Sequence, residues 1–314
     1  MERELRVGTY NLYLGADLLL LLGDRTADEL AVNSDEVRRQ LEATAFPGRV
    51  DAIARVLVGE RLDLVGLQEV CEWRVDGALL WDFAAVLCDS LERLGEPYDV
   101  VVAHATFGGS GDLAVGGTTL QIELSGSNVV LRRRGSSVRV LDTSTGSYER
   151  VLSIAALGQL GFEIGRGWCA ARCELESGTR FTFVTTHTEA HDPGSRDGQR
   201  DELVGSLPDD GLPVLLVGDF NAGPDIVGMA EAGFVDAWVA AGHESDSPEG
   251  ATSGQAPDLR NEESALDHRI DYVWVRSAVV RACARFGSEP DDRTAAGSWP
   301  SDHAGVAATV LLSG

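Results

Sequence analysis

Apolar runs that end abruptly in a carboxylate constrain this chain more than any other feature. Pro213-Val214-Leu215-Leu216-Val217 reads as a buried strand and leads straight into Gly218-Asp219-Phe220-Asn221. Leu62-Asp63-Leu64-Val65-Gly66-Leu67 runs the same way into Gln68-Glu69-Val70, which places Glu69 where the strand should end. A carboxylate at the mouth of a buried strand is costly to desolvate unless a cation or hydrogen-bond donors meet it, so Asp219 must have a partner. Thr9-Tyr10-Asn11 closes a first strand, Leu5 to Tyr10, and Ser301-Asp302-His303 precedes a last one, Ala304 to Leu312. Polar residues delivered by the ends of several separate strands are how an α/β scaffold assembles an active site.

Between these ends the pattern alternates. Val50, Ile53, Ala54 and Leu57 share one face of a helix over Arg49 to Glu60, and Leu80, Phe83, Ala84, Leu87, Leu91 and Leu94 give a second over Leu79 to Leu94, stopped by Gly95. Strands are predicted over Asp99 to Ala103, Thr118 to Leu124, Asn128 to Arg132, Ser136 to Leu141, Tyr148 to Ile154, Trp168 to Leu175 and Arg180 to Thr186. Helices at Arg196 to Leu207 and Ile226 to Ala232 flank the Asp219 strand, and Arg269 to Arg276 and Val280 to Phe286 are further strands. The strand runs in the middle look like antiparallel meanders, so a mixed, layered α/β fold fits better than a doubly wound parallel sheet. Gly108-Gly109-Ser110-Gly111 with Gly116-Gly117 reads as a flexible loop without the Gly-Lys-Ser/Thr ending of a P-loop, and Gly242 to Ala265 as a polar surface loop beside the site.

Charge narrows the partners. With 26 arginines, no lysine and 50 acidic residues the net charge is −24, a field that repels polyanions. The basic run Arg132-Arg133-Arg134, with Arg139 nearby, reads as a solvated strand end. Cys71, Cys88, Cys169, Cys173 and Cys283 form no Cys-x-x-Cys array and are expected as reduced, mostly buried thiols. Met1-Glu2-Arg3-Glu4 enters a strand without an apolar signal core, and no window approaches the ~18 to 20 apolar residues of a membrane span. A cytoplasmic chain without stable membrane association is therefore expected, with no exposed apolar loop evident at the site.

The strand-end residues Asn11, Glu69, His187, Asp219, Asn221, Asp271, Asp302 and His303 form a set that resembles the exonuclease-endonuclease-phosphatase superfamily. The resemblance runs in order through Tyr10-Asn11, Gln68-Glu69-Val70, Thr186-His187, Gly218-Asp219-Phe220-Asn221, Arg269-Ile270-Asp271-Tyr272 and Ser301-Asp302-His303. It implies one catalytic domain over residues 1–314, an α/β sandwich of four layers in which two packed mixed β-sheets are flanked by helices. It also implies phosphoester hydrolysis. Glu69 becomes the principal metal ligand, supported by Asn11 and Asp302, and the oxygen-rich set suits Mg2+ or Mn2+. His303 and Asp271 become the imidazole-carboxylate pair. Asp219 orients or deprotonates the attacking water, Asn221 donates to a phosphoryl oxygen from the same strand face, and His187 adds a second donor. Either Asp219 or His303 could be the base. Abasic-site endonucleases place an Asp two residues after the metal-site Asn, where this chain has Tyr13, leaving Asp17 as a distant substitute. Asn128 is a candidate phosphate-side contact, and Arg269 either meets phosphate or pairs with a carboxylate. The implied activity is a phosphodiesterase of nuclease type on nucleic acid or a nucleotide-like diester; the alternative is a phosphatase or phospholipase C-like hydrolase of a small or lipid-headgroup phosphate.

Overall fold

Two mixed β-sheets pack face to face with helices on their outer faces in the computed structural model, which describes residues 3–21, 26–115, 118–151 and 161–312. The first half of the chain runs β1 (Arg3–Asn11), α1 (Ala27–Ala43), α2 (Phe46–Glu60), β2 (Leu64–Val75), β3 (Ala78–Asp82), α3 (Phe83–Arg93), β4 (Tyr98–Val115) and β5 (Thr118–Arg133). It continues through β6 (Arg139–Ser147), β7 (Gly161–Ile164), β8 (Gly167–Glu174), β9 (Arg180–His187), α4 (Pro193–Ser206) and β10 (Val214–Asp219). β11 (Val235–Asp236), α5 (Ala237–Ala240), β12 (Asp271–Arg276), β13 (Val279–Phe286) and β14 (Gly305–Leu312) complete it.

One sheet has the order β13-β14-β1-β2-β5-β4-β7, with β3 on β2, and the other β11-β12-β10-β9-β8-β6. Each holds one parallel pair, β1 with β2 and β9 with β10, bracketed by antiparallel neighbours. The inner faces meet through Leu5, Val7, Leu64, Phe183, Leu215 and Val217, whose alternation along each strand sends one residue in two to this core. Phe46, Ile53, Leu57, Phe83 and Leu87 of α2 and α3 cover the first sheet, and Leu203 of α4 covers the second. Gly66 lies at a close approach of the two sheets: a Cβ there would sit 2.4 Å from Thr185 Oγ1 and 2.6 Å from Val217 Cγ2. Gly66→Val will therefore destabilise the fold by about 3 kcal/mol, at the upper end of overpacking costs, read as a lower urea midpoint.

Several expected boundaries move. The helix expected from Leu79 begins at Phe83, because Asp82 caps it through Ala85 N (3.0 Å) and Ala78–Asp82 pairs with β2 instead; Leu80 is 48% exposed. α1 was not expected, although Thr26 and Glu29 form a reciprocal capping box at its start. The glycine-rich 108–111 stretch is strand, paired with residues 122–125 of β5, so the two strands expected over Thr118 to Arg132 are one. Glycine is needed at Gly126, where a Cβ would lie 2.0 Å from the Phe107 ring. The strand expected at Ser136 to Leu141 starts at Arg139 and runs on to Ser147. Tyr148 to Val151 is not strand, and the rest of the strand expected to Ile154 lies outside the described residues. Only a short 3-10 turn, Met229–Ala232, occupies the helix expected from Ile226. All five cysteines are free thiols, and no described helix is long and apolar enough to cross a membrane.

Candidate active site

Three adjacent strands of the second sheet deliver three functional side chains in one row. His187 ends β9, Asp219 ends β10 and Asp271 opens β12, and the register pairs Asp219 with both of the others. Residues in register point to the same face about 5 Å apart, so this row is fixed by pairing alone. The first sheet contributes Asn11 at the end of β1 and Glu69 from β2. Both parallel pairs thus end at the same rim, and the ends of parallel strands are where open α/β sheets bind ligands. Just below the rim, Thr9 Oγ1 donates to Gln68 Oε1 (3.0 Å) and Gln68 Nε2 donates to Thr185 Oγ1 (2.8 Å), a polar tie between the sheets.

Glu69 does not end its strand. β2 continues to Val75, and a bulge between Leu67 and Val70 leaves Glu69 at φ 54°, turned out of the ladder into the pocket. Its Oε2 accepts from Leu14 N (2.7 Å) and its Oε1 from Asn11 Nδ2 (3.3 Å). Asn11 also donates to Asp219 Oδ2 (3.1 Å), while its own Oδ1 accepts from Tyr13 N (3.0 Å). The amide nitrogen therefore faces the carboxylates. Asn221 likewise departs from expectation: β10 stops at Asp219, and Asn221 reaches the pocket by a left-handed turn (φ 47°) whose N–H donates to Asp219 Oδ1 (2.9 Å). One side-chain proton of Asn221 goes to Thr188 O (2.9 Å), leaving its second amide proton for another acceptor.

His303 Nδ1 lies 2.8 Å from Asp271 Oδ2, and its Nε2 lies 3.8 Å from Asp219 Oδ2. His187 Nε2 approaches the same Asp219 oxygen at 3.4 Å. The two imidazoles are driven apart in acidity. Burial disfavours the His303 cation, but Asp271, Asp302 and Asp219 outweigh it and hold the ring protonated well above the usual histidine range. Burial, Arg166 and His303 together push His187 well below that range, so it is neutral at pH 7. Burial and the neighbouring Asp271 raise Asp219 to about 7, against the opposing pull of His303, the Asn221 N–H and Asn11.

Sequence reasoning missed Arg166 as part of this site. The residue precedes β8 and is 8% exposed, with Nη1 3.3 Å from both ring nitrogens of His187 and Nε 3.6 Å from Oε2 of the fully buried Glu189. That Nε and that Oε2 have no hydrogen-bond partner. The burial of Arg166 beside His187 and Glu189, which makes its charge consequential, is brought about by the neighbouring strand β9 and the turn after it, about 20 residues on in the chain. Asn128 and Arg269 face elsewhere. Asn128 is fully buried, donating from Nδ2 to Gly167 O (2.8 Å), and so cannot meet phosphate; Arg269 pairs with Asp236 and lies over the Tyr272 ring. The Arg132–Arg134 run is paired with Asp99 and Asp63 at the far end of β2 and β5 from Glu69.

Glu69, Asp302, His303, Asp219, His187 and Arg166 line a single cavity of about 410 Å3. Burial raises Asp302 to about 6, opposed by His303 and reinforced by the Glu69 carboxylate, so two pocket-facing acids repel each other where a hard cation would relieve both. Glu69 and Asp302 fit a divalent ion on that ground. Asp219, Asp271 and His303 also offer ligand atoms within 4.8 Å of one another. That trio suits a metal less well, because Asp271 is fully buried away from the cavity and already holds His303 Nδ1.

Donors and a near-neutral acceptor surround this cavity on a fold of two face-to-face mixed sheets, and with the family match that follows they place the chain among the phosphoester hydrolases. Its lineage is written in the sequence: residues 8–303 match the model of the Endonuclease/Exonuclease/phosphatase family, and the chain belongs to that family. Comparison with curated proteins gives no match. Among solved structures, an endonuclease/exonuclease/phosphatase from Bacteroides vulgatus superposes with a TM-score of 0.60 at 18% identity, covering 99% of this chain and 100% of its own. D. rerio TDP2 complexed with single-strand DNA product gives 0.57 at 17% identity, covering 98% of both chains. The Bacteroides thetaiotaomicron mannosyl-6-phosphatase gives 0.57 at 17%, covering 98% of this chain and 99% of its own. At these identities the likeness is one of fold.

Proposed function

We propose that residues 1–314 act as one catalytic domain that hydrolyses phosphodiesters by metal-assisted attack of water. The observation that carries this reading is the His303–Asp271 pair at 2.8 Å facing Asp219 across the pocket, a fixed cation opposite an acceptor raised to about 7. Glu69 and Asp302 would hold Mg2+ or Mn2+, with Asn11 orienting Glu69 through its amide. When bound, the ion supplies Lewis-acid polarisation of the phosphoryl group.

The remaining roles belong to the side chains. Asp219 takes the proton of the attacking water as the water oxygen bonds to phosphorus and the ester oxygen departs. In this reading His303, held as imidazolium by Asp271, donates to a phosphoryl oxygen and Asp219 serves as the base. Neutral His187, the free amide proton of Asn221 and the Arg166 guanidinium supply further donors to the growing charge. Glu189 keeps Arg166 in place. The D. rerio TDP2 complex shows what its own fold can process, and a nucleotide-like diester is a compatible substrate here. The net charge of −24 and the paired arginine run favour a small diester over a long polyanion.

Hydrolysis of bis-p-nitrophenyl phosphate beside p-nitrophenyl phosphate, with Mg2+ and with EDTA, tests this directly. Diester turnover that chelation abolishes is expected, and Glu69→Gln should raise the Mg2+ concentration needed for half activity by at least about tenfold. Turnover of the monoester alone would replace the reading with a phosphatase, and an unchanged Mg2+ dependence in Glu69→Gln would remove that ligand.

A further inference from the structure

Leu18–Leu21, the first four of five consecutive leucines, form a single 3-10 turn in which none is buried, and Leu19 is 42% exposed. Such exposure is unexplained by the core, because burying a leucine contributes about 2 kcal/mol and this turn forgoes much of it. Nor is the turn loosely held. Thr44 Oγ1 donates to Gly15 O (2.6 Å), Asp17 N donates to Gln40 Oε1 (2.8 Å), and Asn33 Nδ2 donates to Leu20 O (2.7 Å), tying the segment to α1. Asp17 Oδ1 accepts from Leu19 N (3.0 Å), so this carboxylate caps the leucine turn.

Leu18, Leu19 and Leu21 line the same cavity as His303 and Glu69, with Leu14 beside them and Phe107 and Ile164 also in its wall. Leu14, Leu18 and Phe107 rest on the core beneath, which fixes their positions. The cavity thus joins a polar centre to an apolar wall. Its volume of about 410 Å3 exceeds what a phosphoryl group occupies and falls within the range of sites that enclose an organic ligand.

We propose that Leu18, Leu19, Leu21, Phe107 and Ile164 form the subsite for a hydrocarbon group carried by the substrate, so that the preferred substrate is a phosphodiester with one apolar alcohol. The proposal rests on the diesterase reading above. Continuity is its argument: the wall borders the polar groups that would hold the phosphate, so a group esterified to that phosphate reaches the leucines without leaving the cavity. Charge agrees, since a hydrocarbon ester brings one negative charge to a chain of net charge −24 where a polynucleotide brings many.

The test is a series of alkyl p-nitrophenyl phosphodiesters with methyl, butyl and hexyl groups, each below its aggregation limit, hydrolysed by the full chain with Mg2+. The leaving group is p-nitrophenolate throughout, so only the retained alcohol changes. We expect kcat/KM to rise at least about tenfold from methyl to hexyl, and the Leu19→Ser/Leu21→Ser variant to bring that ratio towards one. Equal rates across the series, with the methyl ester hydrolysed, would overturn the subsite and leave the diesterase intact; hydrolysis of no diester would overturn both. Preference for thymidine 5′-p-nitrophenyl phosphate over the hexyl ester would assign the wall to a nucleoside and overturn the proposal. Leucine-dependent binding to phosphatidylcholine vesicles without chain-length dependence would make the turn a surface anchor and overturn it equally.

Discussion

His303→Ala will lower kcat for a phosphodiester by roughly 1000-fold, the loss expected when one positioned donor to the developing charge is removed. The same substitution will also cost stability. Asp271 is fully buried, its Oδ1 has no hydrogen-bond partner, and its Oδ2 faces His303 Nδ1 at 2.8 Å. Deleting the imidazole leaves that carboxylate without its cation, and breaking a buried pair from one side costs about 3 to 5 kcal/mol. His303→Ala/Asp271→Asn separates the two effects, because asparagine removes the buried charge while keeping the side-chain volume. The double variant should regain part of the melting temperature lost by the single one and none of the activity. A kcat within tenfold of the parent in the folded single variant would withdraw His303 from the chemistry.

Arg49→Met should destabilise the protein by about 4 kcal/mol although the residue lies outside the pocket. Arg49 is 1% exposed and donates to four carbonyls: Nε to Thr44 O (2.6 Å), Nη1 to Leu12 O (3.0 Å) and Pro300 O (2.6 Å), and Nη2 to Tyr13 O (3.0 Å). These carbonyls come from the end of α1, the turn after β1 and the segment before Asp302, so one guanidinium ties together the loops that carry Asn11 and Asp302. Burial lowers its pKa to about 10, with Asp302 opposing, and it stays charged at neutral pH. Methionine fills similar volume but leaves four buried acceptors without donors. With an unfolding entropy of about 2.1 cal/mol/K per residue, the loss in a chain of this size should appear as a melting temperature lower by roughly 6 °C. A shift under about 2 °C would mean that water or rearranged backbone replaces the guanidinium.

Arg49 also marks the limit of what could be read without coordinates. Its helix was legible, because Val50, Ile53, Ala54 and Leu57 repeat at the helical period and are buried together on α2. Nothing in that period distinguished an arginine that points to solvent from one that binds carbonyls 36, 37 and 251 residues away. Asp219, Asp271 and His303 were easier, since each adjoins an apolar strand that had to be buried, and a polar residue at such an end declares itself. Glu69 was expected where its strand ends, but the strand continues, and a bulge with positive φ turns the side chain outward to the cavity. Asn128 misled because a buried polar residue on a central strand looks the same whether it meets a ligand or, as here, the Gly167 carbonyl. The Leu18–Leu21 turn was invisible as a surface feature, since leucines in sequence suggest a core.

Apolar periodicity and strand-end polarity, which are local properties of the chain, determined the layered α/β class and nominated eight residues, six of which line one cavity while Asn11 and Asp271 sit behind it holding Glu69 and His303. Tertiary structure alone decided their chemistry. Whether His303 is charged, His187 neutral and Asp219 poised near 7 depends on which groups face each other across two sheets and how far water is excluded between them. The energy of a charge is set by those long-range neighbours and by local dielectric, neither of which is encoded in adjacent residues.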